Sequence, residues 1–360
     1  MIATIELMPA GLNSQAGLSG NDIARALMAG DKGLLAIDES ITTCNSRFAQ
    51  LAITQDEPTR RAYRELLVTT PGLAEAISGV IMCDETIRQS TVQGVPFLRV
   101  LADAGIIAGI KVDRGAKALA GHPQEKVTEG LDGLRERLAE YASMGARFAK
   151  WRAVFSISSD TSGAAFPSRA CIQANAHALA RYAALCQEAG MVPIVEPEVL
   201  MAGDHSLSRC GAVTEQVLHE VFSQLYDQQV ELEAMILKAN MILAGMDNPS
   251  QESGQAVAQA TISCLRRAVP AAVAGIAFLS GGQSGDLASC HLNAINTDHS
   301  LLPWPVTFSF GRAIQQPALT IWGGLEANVA DAQNALLRRA TANQRARHGG
   351  YLGSLSTHRA

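Results

Sequence analysis

The sequence predicts an α/β protein built as a (β/α)8 barrel, the TIM-barrel architecture, and three observations carry that prediction. Eight short apolar runs, each bounded by turn residues, recur along the 360-residue chain. Stretches with apolar residues at three-to-four spacing lie between them. Nearly every apolar run ends in a chargeable side chain, which suits a barrel whose working face is the C-terminal rim of its strands.

In order, the strand-like runs are "GLLAID" (33–38), "GVIMCDE" (79–85), "AGIKVDR" (108–114) and "RFAKWRAVF" (147–155). They continue with "VPIVEPEVL" (192–200), "EAMILKANM" (233–241), "GIAFLSGG" (275–282) and "PVTFSFGR" (305–312). Helices are expected over "TEGLDGLRERLAEYASMG" and "QANAHALARYAALCQEAG", each of which stops at a glycine. Further helices are expected over 213–231, 255–269 and about 326–346. Strands alternating with helices pair in parallel through right-handed crossovers. No Pro/Ser-rich linker and no fixed-period repeat divides the chain. Residues 1–360 therefore read as one barrel domain, with an N-terminal extension over about 1–20 and a flexible tail over about 347–360.

Composition removes several function classes. With 29 basic against 34 acidic residues and no Lys/Arg cluster, the chain carries no nucleic-acid footprint. No apolar run approaches the ~20 residues that span a bilayer, so no membrane association is expected. The opening "MIATIELMPAGLNSQAG" lacks a basic stretch and places Glu6 where a signal peptide would be apolar. Seven scattered cysteines (44, 83, 171, 186, 210, 264, 290) form no CxxC and suit reduced thiols in a cytoplasmic protein.

The strand ends carry Asp38, Asp84 and Glu85, Lys111 and Asp113, Lys150 and Arg152, Glu196 and Glu198, Lys238, Ser280 and Arg312. Several of these are i, i+2 pairs, which point to the same side of a strand. Lys238 is the most telling, because it is the one charge in the run "MILKANMI". An unpaired buried ammonium is costly, so this lysine either snorkels out to solvent, is paired or is held partly neutral. A neutral amine attacks carbonyls and forms Schiff bases, and the resulting iminium accepts the electrons of a breaking carbon–carbon bond. Glu196, Glu198 and Asp38 are the candidate proton carriers. Glycines in "LSGGQSG" and "FSFGRA", with Arg312, suit a phosphate at the ends of strands seven and eight. Lys111, Arg152, Ser40 and Arg47 offer a second anion site across the mouth.

The segments "LLAIDES", "GIKVDRG", "FAKWR", "VPIVEPE", "ILKANM", "FLSGGQS", "LNAIN" and "FSFGRA" together resemble the class I fructose-1,6-bisphosphate aldolases, in order from about residue 20 to about 345. The resemblance implies a cofactor-free, metal-independent lyase, a homotetramer, that interconverts fructose 1,6-bisphosphate with dihydroxyacetone phosphate and glyceraldehyde 3-phosphate. It implies Lys238 as the Schiff-base lysine and Asp38 as the group that takes the C4 hydroxyl proton. Glu196 is then the acid and base of iminium formation, assisted by Glu198 and Lys150. Arg152, Lys111, Ser40 and Arg47 fall near the 6-phosphate. Ser280, Gly281, Gly282, Ser309, Gly311 and Arg312 resemble the 1-phosphate cradle.

Three departures stand out. Ala239 replaces a proline beside the key lysine, and Thr43 stands where the family has a serine. The family ends in a tyrosine that reaches the site, whereas this chain ends "YLGSLSTHRA", with Tyr351 the tyrosine of that segment. This polar tail is expected to be mobile and Tyr351 to stay out of the mouth. Two other readings remain open: sedoheptulose 1,7-bisphosphate as substrate on the same site, and a non-catalytic sugar-phosphate-binding scaffold. A metal-dependent aldolase is not expected, because the eight histidines show neither HxxxH nor HExxH spacing and His205 and His299 read as loop residues.

Overall fold

The computed structural model describes residues 18–158, 167–297 and 302–353. His299 and residues 354–360 therefore lie outside the described residues, as does most of the N-terminal extension. The strands are β1 (Gly33–Ile37), β2 (Ile77–Met82), β3 (Ile107–Lys111), β4 (Ala116–Ala118), β5 (Lys126–Thr128), β6 (Phe148–Phe155), β7 (Val192–Val199), β8 (Ile236–Ala239), β9 (Gly275–Phe278) and β10 (Val306–Phe310). Eight of them close a parallel barrel in the order β1, β2, β3, β6, β7, β8, β9, β10, with β10 pairing back onto β1. The barrel expected from the sequence is thus the observed fold, with each strand in its expected place. The small antiparallel pair β4–β5 stands outside it and was not expected.

The helices are α1 (Gly20–Met28), α2 (Ile41–Ala49), α3 (Glu57–Val68), α4 (Asp84–Ile87), α5 (Phe97–Asp103), α6 (Leu134–Met144), α7 (Arg169–Glu188), α8 (Leu207–Asp227), α9 (Gly254–Ala268), α10 (Gly285–Thr297), α11 (Arg312–Trp322) and α12 (Val329–Arg347). The starts of α7 and α8 lie upstream of the apolar periodicity because Ser168 and Ser206 cap them, each accepting from the backbone N–H three residues on. Helices α1 to α5, α10 and α11 were not foreseen.

Helix α1 plugs the N-terminal end of the barrel. A capping box between Ser19 and Asp22 starts it. Its Ile23, Ala24, Leu27 and Met28 join Leu34, Ile81, Phe148 and Ile236 in one buried cluster. Glycines in the strands make the room. A Cβ at Gly79 would lie 2.6 Å from Leu27 Cδ2, and one at Gly275 would lie 2.4 Å from Met28 Cε. With that end filled, the C-terminal end is the one that opens.

One expected pair of strand-end charges leaves the mouth. Strand β2 stops at Met82, and Asp84 and Glu85 open helix α4 instead. Acidic side chains suit the first turn of a helix, where the backbone dipole is positive. Glu85 takes a two-pronged pair from Arg60, both contacts 2.7 Å. Asp84 binds Arg88 and Tyr141.

Candidate active site

The C-terminal strand ends surround a cavity of about 780 Å3. Every residue named from the sequence as catalytic or phosphate-binding lines it. What the structure adds is who partners whom.

At the base of the cavity Lys238, Lys150, Glu196 and Asp38 form one cluster. They come from β8, β6, β7 and the residue after β1. Lys238 and Lys150 are only 4% and 3% exposed, and Glu196 is 3% exposed. Glu196 lies between the two amines: Oε1 is 3.1 Å from Lys238 Nζ and Oε2 is 3.2 Å from Lys150 Nζ. The second contact is close enough for an ion pair but out of line for a hydrogen bond, so Oε2 has no hydrogen-bond partner. Lys150 Nζ also lies 2.7 Å from Asp38 Oδ2.

The titration of this cluster follows from those distances. Burial works against a charged Asp38, but the ammonium groups of Lys150 and then Lys238 outweigh it and hold the carboxyl down to about 2. Burial also opposes charge on Glu196, and Lys150, Lys238 and Arg152 again overcome it, leaving its pKa below the usual value. Burial disfavours the Lys150 cation, yet Asp38 and Glu196 hold it well above the ordinary lysine range. Asp38 is therefore an ionised base, and Lys150 a fixed positive charge.

On one side of the cluster the cations are already paired. Arg152 Nε donates to Glu198 Oε2. Lys111 Nζ lies 2.6 Å from Asp113 Oδ1 and donates to the Asp113 carbonyl at 2.7 Å. Arg47 Nη1 meets Glu39 Oε1 at 2.5 Å. Ser40 caps α2 by accepting from Thr43 N–H at 3.2 Å, and its hydroxyl lies 3.0 Å from that of Thr43.

At the ends of β9 and β10 lies a cradle with open valences. Gly281 and Gly282 have φ of +57° and +93°, a conformation that turns backbone toward the cavity at little steric cost for glycine. Ser309 Oγ is buried without a hydrogen-bond partner. Gly311 starts α11 without a side-chain cap, so the first amides of that helix are open to an anion. Arg312 makes no ion pair with any described residue. These are the donors a phosphate monoester would take.

Sequence reasoning missed Glu39, Arg64 and Gln315. Glu39 follows Asp38 in "AIDES", but strand alternation argues for its pointing away, and that rule lapses where β1 ends at Ile37. Arg64 and Gln315 lie on α3 and α11 and carry no local signal. His205 is buried in the loop before α8, and neither of its ring nitrogens has a partner. Among the described residues no three His, Cys, Asp or Glu side chains are placed to hold a metal ion. No helix among them is long and apolar enough to cross a membrane.

The family model for class-I fructose-bisphosphate aldolases matches residues 20–360. The chain belongs to that family. A probable fructose-bisphosphate aldolase class 1 from Xanthomonas campestris pv. campestris is 54% identical over 335 residues, spanning 92% of this chain and 98% of its own. The muscle-type fructose-bisphosphate aldolase of Lethenteron camtschaticum is 50% identical over 331 residues, spanning 92% and 90%. Fructose-bisphosphate aldolase 4 of Arabidopsis thaliana, described as cytosolic, is 49% identical over 322 residues, spanning 89% and 81%. A solved Plasmodium falciparum fructose-bisphosphate aldolase, in complex with TRAP and a small-molecule inhibitor, superposes with a TM-score of 0.90 at 44% identity, covering 97% of this chain and 98% of that one. As a class I aldolase the chain is a lyase, and its barrel is that of its structural relative.

Proposed function

We infer that this chain cleaves fructose 1,6-bisphosphate reversibly to dihydroxyacetone phosphate and glyceraldehyde 3-phosphate through a Schiff base on Lys238. The observation that carries the lysine assignment is its amine, 4% exposed at the base of the cavity and 3.1 Å from Glu196 Oε1.

The reaction divides among the clustered groups. Lys238 passes a proton to Glu196 and attacks the C2 carbonyl. The carbinolamine takes a proton from Glu196 as water leaves, giving the iminium. Asp38, ionised beside Lys150, takes the proton of the C4 hydroxyl. The C3–C4 bond then breaks, its electrons pass into the iminium, and glyceraldehyde 3-phosphate departs. Protonation of the enamine at C3 and hydrolysis of the new iminium release dihydroxyacetone phosphate and restore the amine. Lys150 stabilises the negative charge that develops between Asp38 and Glu196, and Glu198 holds Arg152 in line.

The two anion sites match a substrate phosphorylated at both ends. The open cradle of Ser280, Gly281, Gly282, Ser309, Gly311 and Arg312 takes the 1-phosphate. The paired cations Lys111, Arg152 and Arg47, with Ser40, face the 6-phosphate. Trapping with borohydride in the presence of dihydroxyacetone phosphate, followed by mapping of the modified peptide, tests the reading: an adduct on a residue other than Lys238 sinks it. A seven-carbon bisphosphate fits the same two cradles, and specificity constants on the fructose and sedoheptulose bisphosphates decide between them. We further propose a cytoplasmic homotetramer. Cytosolic relatives and seven unpaired cysteines support the compartment, and sedimentation equilibrium tests the assembly.

A further inference from the structure

We propose that Gln315 is a positioning residue that sets Arg47 for the 6-phosphate by fixing Glu39 and tying β1 to α11. The proposal rests on the reading of the two phosphate sites above.

Gln315 is completely buried, one turn into α11 from Arg312. Its side-chain amide has two donors and two acceptor lone pairs, and the structure uses all four. Nε2 donates to the Ala36 carbonyl at 2.5 Å and to Glu39 Oε1 at 2.8 Å. Oε1 accepts from Tyr63 Oη at 3.0 Å and from Arg47 Nη1 at 3.2 Å. Two acceptors on one side and two donors on the other fix which way the amide faces. Tyr63 is itself immobilised, stacked on Trp322 with ring centroids 5.4 Å apart.

The amide organises a charge that lies between two others. Glu39 Oε1 is 2.5 Å from Arg47 Nη1, and Glu39 Oε2 is 2.9 Å from Arg64 Nη2. Arg64 is 2% exposed and remains behind the cavity wall, whereas Arg47 lines it. One carboxylate serving two guanidiniums leaves a unit of positive charge, and the position of Glu39 decides where that charge is felt. Gln315 holds Glu39 from the side opposite Arg64 and contacts Arg47 directly. Through Ala36 the same amide reaches β1 two residues before Asp38. One side chain thus connects the base, the 6-phosphate arginine and the helix whose first turn carries Arg312.

If Gln315 acts through Arg47, its loss should matter only for substrates that carry a 6-phosphate, and only while Arg47 is present. Replacing Gln315 with methionine keeps the length and removes the amide. In Gln315→Met, KM for fructose 1,6-bisphosphate should rise roughly fivefold, the effect of losing about one net hydrogen bond. On fructose 1-phosphate the change should stay below about twofold, and borohydride trapping at Lys238 should proceed as before. Adding Gln315→Met to Arg47→Ala should raise KM by less than about twofold more, as expected for residues that act as one unit. Equal losses on both substrates, or a further full fivefold loss in the double variant, overturn the proposal. Should Gln315→Met fail to fold, Tyr63→Phe carries the test, because it removes one bond and keeps the ring stack. A KM rise confined to the bisphosphate supports the tie, and an unchanged KM overturns it. Absence of a Lys238 adduct in the unsubstituted chain counts against the aldolase assignment itself, which separates the two failures.

Discussion

The carboxylate of Glu196 stands 3.1 Å from the amine of Lys238, at the base of a cavity where both side chains are almost fully withdrawn from water. A single proton can move between these two groups without crossing solvent, as amine attack and dehydration both require. The same carboxylate touches Lys150, so both amines, with Arg152, hold its proton affinity down against burial.

Lys238→Ala should abolish both turnover and borohydride trapping, while EDTA leaves the unsubstituted enzyme active. Activity lost on chelation, or an adduct mapped to Lys111 or Lys150, overturns the assignment.

Lys150→Met should raise the pKa of Asp38 from its value of about 2, because its largest stabilising charge is gone. The acid limb of the kcat/KM profile should move upward, and cleavage should slow. A profile with an unmoved acid limb contradicts the coupling. The native pair also bears on stability. Asp38 is depressed in the folded state, so its contribution is present above pH about 4 and is lost as pH falls toward 2. From the shift it amounts to about 2 kcal/mol. Lys150 is raised, so its contribution persists up to its ordinary range and is lost only at more alkaline pH. Denaturant titrations of the unsubstituted chain at pH 3 and 6 measure the acid arm.

Arg312→Ala removes the one cradle cation without a carboxylate partner among the described residues. Charge-assisted contacts contribute about 1.5–3 kcal/mol, so KM for the bisphosphate should rise roughly tenfold or more. An unchanged KM places the 1-phosphate elsewhere.

Gly282→Ala should both weaken phosphate binding and lower stability. Its φ of +93° is strained for any residue with a Cβ, at a cost of about 1–3 kcal/mol. The new methyl would also lie 3.4 Å from Met246 Sδ and 3.6 Å from Arg312 Nη2. A thermal melt and KM on the same sample check both effects; a neutral substitution contradicts the role given to the backbone here.

Tyr351 is anchored to the body of the barrel. Tyr351 N–H donates to Asn293 Oδ1 at 2.7 Å and its phenol donates to Asp286 Oδ1 at 2.9 Å, seating it on α10. It does not line the cavity. Removing residues 349–360 should therefore slow turnover by less than the ~10²–10⁴-fold of a positioned acid–base group and leave Schiff-base formation intact. Solvent exchange at C3 of dihydroxyacetone phosphate is the measurement. A hundredfold drop, reproduced by Tyr351→Phe, would give that tyrosine a catalytic role.

Strand ends were legible because chemistry and periodicity coincide there. A lysine in an apolar run, and carboxylates two residues apart, announce themselves without any partner in view. The cradle glycines were legible for a similar reason, since only a close approach or a positive φ explains glycine clusters at two adjacent strand ends. Asp84 and Glu85 show the limit. Their run reads as one strand through residue 85, but the chain turns into α4 after Cys83, and the two carboxylates go to Arg88 and Arg60.

By itself the sequence determined the barrel, the eight strand positions and most of the chargeable side chains at the mouth, because each depends on local pattern; Glu39, Asp84 and Glu85 are the exceptions. Only the tertiary structure decided which charges cancel. Arg47 meets Glu39 within one stretch of chain, but the amide that fixes them comes from Gln315, and its bond to Ala36 spans 279 residues. That bond exists because β10 closes on β1 and brings α11 alongside. Charge pairing falls off over a few ångströms, and distances on that scale between the two ends of a chain are set by closure of the barrel rather than by any local signal.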